Sequence, residues 1–75
     1  MSENIDTVKA SALDGNPQAQ YELGQMFEFG RGVPQSYTEA MEWYQQAAKQ
    51  NFPQAQYAIG LLFEQGRGVP ADAKK

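Results

Sequence analysis

The sequence predicts an all-α protein, a solenoid of stacked helical hairpins about two units long. Three observations predict it. Residues 17–34 and 53–70 read PQAQYELGQMFEFGRGVP and PQAQYAIGLLFEQGRGVP, and 13 of these 18 positions are identical at a shift of 36. Chance would give roughly one or two at ordinary residue frequencies. A period of 36 is too long for a heptad and suits a helix-turn-helix unit. Within each copy the apolar residues recur at helical spacing, with Gly and Pro gathered between them.

Each element has its own punctuation. Pro17 can occupy a first helical turn, where its missing N–H would be an orphan donor anyway. Ala19, Leu23, Gly24 and Phe27 follow at helical spacing, and Gly30 is a left-handed C-terminal stop, so a helix is predicted over 17–29. The stretch 30–34 is a turn that tucks Val33 under. Ser36 and Glu39 form a capping box, the hydroxyl taking the third amide and the carboxylate returning to the Ser36 amide. Tyr37, Ala40, Met41, Tyr44, Ala47 and Ala48 then predict a helix over 37–49, ended by Asn51, which tolerates a left-handed conformation. A helix over 53–65 repeats the first, 66–70 repeats the turn, and Asp72 stands where Ser36 stood as a cap. Shifted by 36, Ile5, Val8 and Ala12 fall on Met41, Tyr44 and Ala48, with Thr7 in place of Trp43. Residues 5–13 therefore read as the second helix of a preceding unit. Terminal units of a solenoid are atypical because they cap the stack, so this is an N-terminal capping helix, stopped by Gly15.

Composition removes several function classes. The chain has 75 residues, room for one small domain. It has no Cys, hence no disulfide and no thiolate metal site, and no His, the usual general base and commonest metal ligand. Six Lys+Arg against nine Asp+Glu give a net charge of −3 with no basic cluster, which argues against nucleic acid and anionic membrane as partners. No apolar run approaches the roughly 18 residues of a membrane span, and 1–4 does not open a secretory signal.

The repeated residues resemble a known family. Ala12-x2-Gly15-x3-Ala19-Gln20-x2-Leu23-Gly24-x2-Phe27-x2-Gly30-x-Gly32-Val33 continues as Ala40-x2-Trp43-Tyr44-x2-Ala47-Ala48. It starts again with Ala55-Gln56-x2-Ile59-Gly60 and Gly66-x-Gly68-Val69. This pattern resembles the Sel1-like repeats, relatives of the tetratricopeptide repeats, from about residue 10 onward. Phe27 and Phe63 replace a usual Tyr, Ser36 a usual Asp, and Asn51 a usual Gly, all mild departures. The resemblance implies a right-handed α/α solenoid, with a capping segment 1–15, one repeat over 16–51 and a truncated one over 52–75. It also implies a bacterial, cytoplasmic adaptor or scaffold whose first helices line a concave side where partners dock.

Several residues invite a functional reading. Gly24 and Gly60 sit inside helices, where Gly costs about 1 kcal/mol against Ala, and close approach of a partner helix explains them. Trp43 is expected in the core, wedged between the helices at 17–29 and 53–65. Gly30-Arg31-Gly32 follows a helix and lacks the Lys-Ser/Thr ending of a phosphate loop. Glu28–Arg31 and Glu64–Arg67 read as surface pairs worth a few tenths of a kcal/mol.

The most informative comparison is between the two copies. The first helices differ at 22, 23, 25, 26 and 29. Leu23/Ile59 is a conservative core exchange. The other four share one face, which reads Glu22, Gln25, Met26, Phe29 in one copy and Ala58, Leu61, Leu62, Gln65 in the other. Packing between units demands sameness, and a face free to differ is solvent surface or a binding surface. Phe29, Glu22 and Gln25 favour a groove for a partner protein or peptide. Met26 and Leu62 stand open between groove and inter-helix packing. No nucleophile–base arrangement exists, so the chain is read as a non-enzyme with no cofactor or metal. A small-molecule-binding or hydrolytic, β-lactamase-like solenoid is the alternative. By the repeat, a second Trp-Tyr helix should follow Lys75. A native N-terminus and a C-terminus cut from a longer array are therefore expected, or else a short protein that self-associates head to tail through its uncapped last helix.

Overall fold

A computed structural model of the chain describes residues 5–68. Four helices follow one another: α1 (Ile5–Leu13), α2 (Pro17–Phe29), α3 (Tyr37–Ala48) and α4 (Pro53–Gln65). No strand occurs among the described residues. The second turn is described as far as Gly68, and the expected cap Asp72 lies outside the described residues.

The helix ends follow from local chemistry. At the start of α2, Asn16 accepts the Ala19 amide at 3.1 Å and Pro17 fills the first turn. Gly30 ends the helix at φ 68°, a left-handed conformation that costs glycine nothing. Ser36 Oγ accepts the Glu39 amide at 3.2 Å, as a cap should. The return arm of the expected capping box is not made, because the Ser36 amide donates to the Phe27 carbonyl at 2.8 Å. That bond ties the turn back onto α2 instead. α3 stops at Ala48, one residue short of the expected end, with Asn51 at φ 61°. α4 opens at Phe52 with no side-chain cap. The Phe52 ring lies 5.5 Å from that of Tyr21, so packing takes the place of capping there.

Each helix packs chiefly on its neighbours in sequence, and the molecule extends over 42 × 26 × 17 Å. Two apolar clusters result. One joins α1 to α2 through Val8, Ala12, Ala19, Leu23 and Met26, with Val33 tucked beneath as expected. The other joins α2, α3 and α4 around Ala40, Met41, Tyr44, Ala47, Ala55 and Leu62. Tyr44 is the largest fully buried side chain. Its ring lies against Gly24, where a Cβ would come within 2.6 Å of it. This is the close approach that the helical glycine implies. Trp43 is not the wedge expected between α2 and α4. It is half-buried and packs against the α1–α2 cluster. The space over Gly24 admits the flat phenol, and the indole, one position away, is turned about 100° around the helix.

Polar closure is local too. Buried Gln20 donates to the Ala12 carbonyl at 3.0 Å. Gln50, beyond α3, donates to the Gly15 carbonyl at 2.9 Å and to Gln20 Oε1 at 3.0 Å. The end of the first unit is thereby fastened to its beginning.

Candidate functional site

The first helices of the two units, α2 and α4, flank a groove of about 160 Å³. Tyr21, Gln25, Glu28 and Phe29 form one wall, Gln54, Tyr57, Ala58 and Leu61 the other, and Tyr44 reaches it from α3. On both walls the spacing is i, i+3/i+4, i+7/i+8, so each wall is one stripe of a helix. Leu61, Phe29 and Tyr57 are exposed, Tyr57 by 72%.

Its electrostatics are set by one short bond. Tyr44 donates its hydroxyl to Glu28 Oε1 at 2.6 Å. Burial and the adjacent Glu28 carboxylate hold the phenol far above its ordinary value. Tyr44 is therefore a fixed donor and cannot serve as a base. Beside it, Gln25 Nε2 donates to the Tyr21 hydroxyl at 3.2 Å. At the mouth, the Arg31 guanidinium stands 5.1 Å over the Phe29 ring. A cleft of this size is smaller than the roughly 300–1,000 Å³ of a small-molecule site. It has the dimensions of a single side chain, with apolar walls, two amides and a carboxylate.

The face expected from the sequence is only partly realised. Gln25, Phe29, Ala58 and Leu61 are brought together in this groove. Met26 and Leu62 are not on it: they are 8% and 0% exposed and belong to the two core clusters. Glu22 is half-buried and takes the Gln18 amide at 3.0 Å, outside the groove lining. Gln65 is exposed and also outside it. Tyr21, Glu28, Tyr44, Gln54 and Tyr57 line the groove without having been singled out as partner-binding. Tyr21 and Tyr57 are identical between the copies, so a search for differences passes over them. Their place at i−4 to Gln25 and Leu61 is the signal that could have found them.

A wider depression of about 370 Å³ lies over Trp43, between Leu13, Glu39 and Glu42. Of its two amides, Gln20 and Gln46, the first is already committed to Ala12 and Gln50. In place of the expected Glu28–Arg31 surface pair, Glu28 accepts the Tyr44 hydroxyl and Arg31 lies over the Phe29 ring. Arg67 donates to the Tyr37 hydroxyl at 2.9 Å. Among the described residues no helix is long and apolar enough to cross a membrane, and no acidic cluster could hold a metal ion.

Comparison with known proteins agrees with this architecture. The Sel1 repeat model matches residues 17–52 and 53–75. Among solved structures, c5321 of uropathogenic Escherichia coli, a protective antigen displaying an SLR fold, is 40% identical with a TM-score of 0.85. The match covers 89% of this chain and 14% of that one. A Sel1 repeat protein from Oxalobacter formigenes is 43% identical with a TM-score of 0.81, over 87% of this chain and 49% of that one. The chain thus spans half or less of either. Comparison with curated proteins finds no match. Two consecutive matched repeats, together with the likeness to their solved relatives, make this chain a member of the Sel1 repeat family.

Proposed function

We propose that the chain is a bacterial adaptor module that holds a partner peptide in the α2–α4 groove. Sel1 repeat proteins are in general protein-interaction modules and typically non-catalytic, and both solved relatives are bacterial. The observation that carries the reading is the convergence of Gln25, Phe29, Ala58 and Leu61, four residues from three positions at which the two copies differ, on one cleft of side-chain size. An apolar or aromatic side chain of the partner enters between Phe29 and Leu61. The Gln25 and Gln54 amides take the partner's backbone, and Glu28 sets a preference for a donor beside the anchor. Anchors of this kind carry most of the energy at such surfaces.

The test is a pull-down with the wild-type chain and a Phe29→Ala, Gln25→Ala double variant. Both side chains lie outside the core, so the melting point should move little, since surface changes stay within about 0.5 kcal/mol. Partners captured by the wild type should be lost by the variant. Retention of the same partners at the same yield sinks the groove assignment.

A further inference from the structure

Glu39, Glu42, Trp43 and Gln46 of α3 are spaced i, i+3, i+4, i+7 and so share one helix face. None of them lines the α2–α4 groove. With Leu13 of α1 they line the depression of about 370 Å³ between α1 and α3. The fold makes little use of what stands there. The Trp43 indole is only half-buried, and Leu13 beside it is 70% exposed. Glu39 and Glu42 are exposed, and among the described residues neither carboxylate has a basic partner or a hydrogen-bond donor. Like charges one helical turn apart are unfavourable, so the helix gains nothing by setting them together beside an indole. Elsewhere the molecule shows what its rings take. Arg31 stands 5.1 Å over Phe29 and Arg67 4.9 Å over Tyr37, so both arginines of the chain lie on aromatic faces. Tryptophan holds a cation better than either ring, and among the described residues no cation stands over Trp43.

We infer that the α1–α3 depression is a recognition site for an arginine side chain of a partner protein. The guanidinium lies on the Trp43 indole and directs its planar fork of donors at Glu39 and Glu42. Its methylenes run along Leu13. Gln46, whose amide holds no other bond among the described residues, meets the partner's backbone. Arginine suits the site better than lysine, because an ammonium is a compact point charge that neither stacks on a ring nor forks between two carboxylates. The net charge of −3 favours approach of a basic segment. A second copy of this chain supplies no arginine without stripping one of its own rings, and its Arg67 also donates to the Tyr37 hydroxyl at 2.9 Å. The depression shares no lining residue with the α2–α4 groove, so the two sites stand or fall separately.

Trp43 is the one tryptophan of the chain, so its emission, excited beyond the tyrosine absorption, reports on this site alone. The probe is a blocked glycine-arginine-glycine peptide titrated against the 75-residue chain. Matched peptides carry lysine, citrulline or leucine in place of the arginine. A saturable change in emission is expected with arginine, a weaker one with lysine, and none with leucine or with citrulline, which keeps the shape and loses the charge. A Glu39→Gln, Glu42→Gln double variant should bind at least about tenfold more weakly, through the loss of two charged acceptors. Both side chains are exposed, so its melting point should move little. The Phe29→Ala, Gln25→Ala variant should bind the peptide as the wild type does. Absence of saturation, equal binding of the lysine, citrulline or leucine peptide, or indifference to the Glu39→Gln, Glu42→Gln change overturns the inference. So does an emission that shifts with protein concentration alone, because the depression would then hold a second copy.

Discussion

Gly24 and Gly60 hold the same place in two copies of one helix, yet only the first has a ring pressed on it. Alanine should therefore act in opposite directions at the two sites. At Gly60 it gains about 0.5–1 kcal/mol, by helix propensity and a less free unfolded chain. At Gly24 the same gain is outweighed by overpacking against Tyr44, typically 1–3 kcal/mol. Urea denaturation of the two variants measures both, and shifts of the same sign would refute the close-contact account of Gly24. Tyr44 makes a second prediction. Burial first, and then the Glu28 carboxylate, keep its phenol protonated in the folded chain. The unfolded chain releases that proton near the ordinary value of 10.0. Above it the unfolded state binds fewer protons than the native one, so stability is whole below about pH 10 and falls as pH rises further. Tyr44→Phe should cost roughly 1 kcal/mol at neutral pH and flatten that alkaline decline. Urea midpoints between roughly pH 8 and pH 11 would show it.

At the scale of the element, α2 and α4 open with different devices. Asn16 caps α2 with a hydrogen bond, whereas Phe52 sets a ring on Tyr21 at the head of α4. Asn16→Ala should cost about 1 kcal/mol, read as a lowered melting point. Phe52→Asn, which installs a cap, should still destabilise, because the ring it removes packs on the central cluster. The helices that begin at Pro17 and Pro53 and end before Gly30 and Gly66 were legible to the residue, as was Ile5–Leu13, because proline, glycine and the 36-residue register mark them. The end of α3 was less so, since nothing as strict as a glycine stands at Lys49. The exchange of roles between Trp43 and Tyr44 was hidden for another reason. Periodicity puts both near the inner face, and only the depth of space over Gly24 decides which fits. Likewise, comparison of copies exposed Gln25, Phe29, Ala58 and Leu61 but could not separate them from Met26 and Leu62, which the packing of α1 and α3 draws inward. It missed Tyr21 and Tyr57 because a wall of a groove can be repeated as faithfully as a core.

At the scale of the molecule, helices that touch mainly their sequence neighbours form a nearly one-dimensional chain of contacts. α2 and α3 are packed on both sides, while α4 has one face open. Amide hydrogen exchange should therefore be slowest in α2 and α3 and faster in α1 and α4, which each pack chiefly on one neighbour, by a difference that follows local opening rather than global unfolding. Uniform protection across all four helices would count against this gradation. Gln50 carries a different consequence. It reaches both the Gly15 carbonyl and Gln20, so one amide adds a polar tie between the end of α3 and the start of α2 beside their apolar packing. Exchange of that single side chain removes the tie while leaving the interior full. Successive hairpins of a helical array can in this way be adjusted one polar clasp at a time, without disturbing their apolar interiors.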